Sequence, residues 1–215
     1  MSLPLIPRSR VAALFAAAGV ALLAAQALLP AFPSETSGQV AVAAAHRGAE
    51  TASALAFLVA GVLIALGVSA MNRLDLGRGR VLTRIGLVLT GIGALWPVAG
   101  RAAFNTILVA VTGDGDRSAA VSAVHAVSNS GAFAMFLPLL AAFVFGPALL
   151  ALGLRRAGVL SIWPAVLWIA GVLVVNAAED ASRAGAAAGM ALVAIAIAWI
   201  GYATSRPGAV AADSH

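Results

Sequence analysis

Six apolar runs divide the chain, and the short stretches between them hold nearly all of its charge. The cleanest covers residues 51–71 without one charged side chain, close to the ~20 residues an α-helix needs to cross a ~30 Å hydrocarbon core. Spans are predicted over residues 11–30, 50–71, 85–111, 130–154, 159–178 and 185–203. The expected fold is therefore all-α: one polytopic transmembrane bundle of six helices over residues 1–215. Pro30 and Pro33 end the first span, because proline cannot continue a helix. Its basic start resembles a secretory signal, but its apolar run exceeds the ~7–15 residues of such a signal, so an uncleaved helix is expected. Residues 32–38 read as a short polar loop with Glu35, residues 112–119 as a Gly/Asp turn, and residues 204–215 as a disordered tail. Trp96-Pro97 and Trp163-Pro164 read as interfacial aromatics with kinks. Gly185 and Gly189, four residues apart, permit close contact with a neighbouring helix.

Composition strengthens this picture. Of 215 residues, 62% are hydrophobic and 10% charged, and the mean hydropathy is +1.01. Soluble domains carry about 25% charged residues, so lipid is the expected solvent for most of the chain. There is no cysteine, which excludes disulfides, thiolate ligands and Cys nucleophiles. All 13 basic residues are arginine. The pI near 11.5 would suit nucleic acid, but the arginines flank the spans, where orientation in a membrane accounts for them. Arg8, Arg10, Arg73, Arg78, Arg80, Arg84, Arg155, Arg156 and Arg206 fall on one side, and Arg47, Arg117 and Arg183 on the other. The positive-inside rule then puts both termini in the cytoplasm. The all-arginine usage suggests a GC-rich bacterium, and hence a bacterial plasma membrane.

Residues 41–46, AVAAAH, resemble residues 120–125, AVSAVH, and GVLIALG at 61–67 resembles GPALLALG at 146–153. A duplication would make spans one and two, and three and four, equivalent hairpins, with His46 and His125 opening the second and fourth helices at matching depth. Ala-His-Arg before the second span, the Arg/Gly-rich loop after it and RIGLVLTGIGAL at 84–95 resemble uncharacterised six-helix membrane proteins of actinobacteria, a domain-of-unknown-function family. The resemblance implies a six-helix fold in a bacterial plasma membrane and supplies no catalytic residue.

Two constellations carry candidate chemistry. Arg101 lies inside the third span with Asn105 one turn on, and an intramembrane charge must be paired or line a wet cavity. Pairing with Glu50 or Glu179 would lock helices together; the other reading is contact with a small-molecule or lipid ligand. Arg101, Asn105, Glu50, Asn176 and Glu179 thus make up a predicted polar cavity at the outer end. His46 and Glu50 are one helical turn apart and are expected to share a face, and with His125 they make the second set. Two imidazoles could hold haem b axially, or with Glu50 a metal such as zinc; the plain alternative is interfacial, hydrated histidines. Glu179, Asp180 and Arg183 read as loop charge. Asp114 and Asp116 lack the length and ligand count of a calcium loop. No glycine loop able to cradle a phosphate is present. Three functions follow: a non-enzymatic, permease-like or accessory membrane protein, a haem-b redox protein, or a metal-dependent lipid hydrolase. The first is favoured, with the bilayer as its one certain partner and no nucleic acid.

Overall fold

A computed structural model of the chain describes residues 9–30, 33–71, 78–113, 116–129, 131–179 and 181–206. Every regular element among them is helical. In chain order they are α1 (Ser9–Leu28), α2 (Thr36–Ala45), α3 (Arg47–Met71), α4 (Arg80–Gly93), a π-helical segment (Trp96–Ala102), α5 (Ala103–Val111), α6 (Arg117–Asn129), a 3₁₀ segment (Gly131–Phe136), α7 (Leu137–Arg156), α8 (Trp163–Ala178) and α9 (Arg183–Ser205). Residues 72–77, Asp114 and Asp180 lie outside the described residues, as does the predicted tail from residue 207 onward.

Five helical runs are long and apolar enough to cross a membrane: Arg10–Leu28, Arg47–Met71, Arg80–Val111, Leu137–Arg156 and Arg183–Ser205. The sixth predicted span is a shorter apolar helix of 16 residues, α8. Prolines account for the shortening. The predicted start at residue 159 slips to Trp163 because Pro164 sits in the first turn of α8, where its missing N–H costs nothing. Pro138 likewise starts α7, so the predicted span from residue 130 begins at Leu137. Trp163-Pro164 therefore opens a helix, where the sequence suggested a kink.

The connections differ from expectation too. The predicted polar loop at 32–38 runs into α2, and the predicted turn at 112–119 runs into α6. Both are too short and too polar to read as spans. They are held instead by a small core of their own, in which Val40 and Ala43 of α2 meet Ala120 and Val124 of α6 over Leu108 of α5. The AVAAAH and AVSAVH motifs thus fall on two connecting helices packed against each other. His46 joins α2 to α3, whereas His125 lies inside α6, well before α7.

The six legs form a closed ring. α1 lies between α3 and α9, α8 between α9 and α7, and the α4–α5 run closes the circle between α7 and α3. Its tightest seam is α4 against α7. Thr83, Gly86, Thr90 and Gly93 alternate at spacings of three and four along one face of α4 and are all buried. They meet Gly146 and Gly153 of α7. A Cβ on Gly146 would stand 2.5 Å from the Thr90 nitrogen, and one on Gly93 2.5 Å from the Phe143 nitrogen. Backbones come this close only where side chains are absent. Gly171 and Gly189 do the same between α8 and α9. Alternating helix direction gathers Arg10, Arg80, Arg84, Arg155, Arg156 and Arg206 at one end of the ring, and Arg47, Arg183 and Glu179 at the other.

Pro147 stands inside α7 and has no N–H to offer the Phe143 carbonyl one turn back. That carbonyl is served from the next helix. The indole Nε1–H of Trp168, a fully buried residue of α8, donates to Phe143 O at 3.2 Å and Val144 O at 3.0 Å. The rings of Phe143 and Trp168 also pack, with centroids 5.1 Å apart. A buried acceptor left unpaired costs about 1–3 kcal/mol, so Trp168→Phe is expected to destabilise the folded protein by that order, read as a lower thermal midpoint in detergent. In a Pro147→Ala background, where residue 147 regains its N–H, the same change should cost clearly less. Equal costs in both backgrounds would refute this role for the indole.

Candidate functional site

The site begins with Pro97. Its missing N–H cannot bond the Gly93 carbonyl, and the backbone resets into a π-helical turn in which Ala103 N–H reaches back five residues to Val98 O. Such turns are rare and recur at functional sites. This one carries Arg101 to the centre of the ring. A cavity of about 70 Å³ lies there, and every leg contributes to its wall. Gln26 comes from α1, Phe57 from α3, Arg101 from the π turn, Phe143 from α7, Asn176 from α8 and Val193 from α9. The wall is otherwise apolar, and Gln26 is buried against it.

Arg101 spans one end of this cavity. Its guanidinium forms a salt bridge with Glu179, the residue that closes α8, and the two side chains are 20% and 15% exposed. Arg101 also lies close enough to Glu50 for its charge to act on that carboxylate. Glu50 is 2% exposed, and its Oε2 has no hydrogen-bond partner. Asn105 is fully buried, with both amide atoms unpartnered. Asn176 is exposed near the mouth and donates its Nδ2–H to Val172 O at 2.8 Å, one turn back on its own helix. Two arginines at the Glu179 end tie the legs together. Arg47 donates to Val109 O at 3.3 Å, and Arg183 donates to Ala27 O.

The histidines stand apart from this cluster. His46 and Glu50 do not share an environment: the helix breaks between Ala45 and Arg47, so His46 caps α2 and is exposed while Glu50 turns inward. His125 lies on an exposed face of α6, where Asn129 Nδ2 donates to its ring, 2.8 Å from Nε2 and 3.1 Å from Nδ1. Among the described residues no three His, Asp or Glu side chains gather closely enough to hold a metal ion, so His46, His125 and Glu50 do not form a shell. Asp116 caps α6 by accepting from the N–H groups of Ala119 and Ser118 and from the Ser118 hydroxyl. Those bonds, that from Ala119 first, hold its carboxyl below the usual range, which suits a helix cap.

Three contributors escape a reading of the sequence. Gln26 sits in a run of Ala and Leu with nothing nearby to flag it. Trp168 gains its role only from a proline on another helix. The face formed by Thr83, Gly86, Thr90 and Gly93 does leave a signal, since small residues recur there at heptad spacing. Comparison with family models, with curated proteins and with solved structures finds no match.

Proposed function

We propose that the chain is a non-enzymatic, permease-like integral membrane protein of a bacterial plasma membrane, with both termini in the cytoplasm. The observation that carries this reading is the central cavity. Six legs surround one space, and the Arg101–Glu179 pair stands across one end of it. Ionisable residues among apolar helices mark a path or a ligand site more often than not, and this partly buried pair borders a cavity. The end rich in arginine would face the cytoplasm by the positive-inside rule, leaving Glu179 and the connecting helices α2 and α6 outside. The cavity would accept a small molecule from that outer side, past the ion pair. Nothing in the wall resembles a nucleophile with an adjacent base, so binding or passage accounts for it better than catalysis.

The absence of cysteine gives a clean background for testing this. In intact cells a membrane-impermeant thiol reagent is expected to modify a Gln26→Cys variant, faster when Glu179→Gln is added to loosen the mouth. A Ser205→Cys variant, at the other end of α9, should react only once the membrane is permeabilised. If Gln26→Cys stays unreactive in both backgrounds, or Ser205→Cys reacts in intact cells, the reading fails.

A further inference from the structure

Among the described residues Arg101 acts on two carboxylates, Glu179 and Glu50, and its salt bridge is with Glu179. Glu50 is then a carboxylate at 2% exposure with one oxygen unpartnered, a burial that is expensive unless something neutralises or ligates it. Asn105 presents a second deficit, since neither amide atom has a partner although the residue is fully buried.

These two deficits lie at one level. Arg47 at the start of α3 reaches Val109 O, and Gly61 further along α3 sits against Ala94 and Val98. Between these brackets the antiparallel register puts Glu50 level with Asn105 on the facing helix. α1 closes over the same level, where Ser53 Oγ–H donates to Ala25 O at 2.9 Å.

We propose that Glu50 and Asn105 form a binding site for one monovalent cation, a proton or Na⁺, between α3 and α5. A cation is what the buried, unpartnered oxygens of Glu50 and Asn105 lack. With Glu179 committed to Arg101, a single carboxylate remains, too few anionic oxygens for a divalent ion. A proton on Glu50 would donate to the Asn105 carbonyl oxygen. Na⁺ would take the same two oxygens as ligands. Among the described residues, the other charged or titratable groups near this level are Arg101 on the π turn, Arg47 at the head of α3, His46 at the end of α2, Arg183 at the head of α9 and Glu179 after α8. Helices α1 and α5 bring none to it. Occupancy bears on the mouth of the cavity: when the cation leaves, Glu50 competes with Glu179 for Arg101.

The test is thermal unfolding of the full chain in detergent. NaCl is titrated against choline chloride at constant ionic strength and pH, and pH is titrated separately without Na⁺. A ligand bound only by the folded state raises the folded-to-unfolded ratio tenfold for each tenfold increase above its dissociation constant. If Na⁺ is the ligand, the midpoint rises with Na⁺ in the wild type and not in Glu50→Gln. If it is a proton, the midpoint rises as pH falls, Na⁺ has no effect, and Glu50→Gln loses that dependence. Glu179→Gln frees Arg101 to answer Glu50, so it should weaken the same response with Glu50 intact. That variant carries the test if Glu50→Gln does not fold. Wild-type, Glu50→Gln and Glu179→Gln curves that superimpose in both titrations overturn the proposal.

Discussion

Gly146→Leu is expected to abolish the folded protein, leaving no monodisperse species in detergent. The reason is the α4–α7 seam, where the new Cβ would stand 2.5 Å from the Thr90 nitrogen and meet backbone that cannot rotate away. Extra methylenes in an adaptable core cost about 1–3 kcal/mol, but here two helix axes must separate. Separation would pull Thr83, Gly86 and Gly93 away from α7 together and open the ring at its tightest joint. Gly91→Leu is the control. It lies on the same helix, and its Cβ would meet only a Val68 methyl group at 3.6 Å. Equal yields of folded Gly146→Leu and Gly91→Leu protein would refute the account.

Arg101→Met comes second. It removes the cation that pairs with Glu179 and acts on Glu50 while keeping a long apolar stem in the cavity wall. Breaking a buried pair from one side costs about 3–5 kcal/mol. The partial exposure of both side chains here, 20% and 15%, points to about 3 kcal/mol, at the lower end. Adding Glu179→Gln to Arg101→Met should recover part of the loss by removing an orphaned carboxylate. The quantity to read is the coupling between the two changes in unfolding midpoint. Strict additivity would mean that the pair contributes nothing.

Much of this fold was legible because the solvent imposes a simple rule. A run such as residues 51–71, free of charge and long enough to cross a bilayer, leaves little choice but a helix, and four of the five long helices follow from such runs, the other carrying Arg101 in its middle. Helix starts were less legible, since they depend on single prolines such as Pro138 and Pro164 that hydropathy does not weigh. The connecting helices α2 and α6 stayed hidden for another reason. Each buries only a small apolar face, and only against the other and α5. Within the site, the position of Arg101 marked it at once, but the fate of Glu50 did not. The four-residue spacing to His46 suggested a shared face, and that inference holds only inside one unbroken helix. The chain turns at His46 instead, which leaves the imidazole exposed and sends Glu50 inward.

The shortness of α8 reaches beyond the protein itself. Its 16 residues rise roughly 24 Å at about 1.5 Å each, less than the ~30 Å of a typical hydrocarbon core. If α8 crosses the bilayer as the proposed sixth span, local thinning is one way the membrane can meet such a mismatch. The bilayer beside α8 would then pinch, drawing lipid headgroups down towards Asn176 and Glu179. On that sector the Arg101–Glu179 pair would meet a dented interface, and a molecule partitioning along the lipid would have a shorter distance to travel than one arriving anywhere else around the ring.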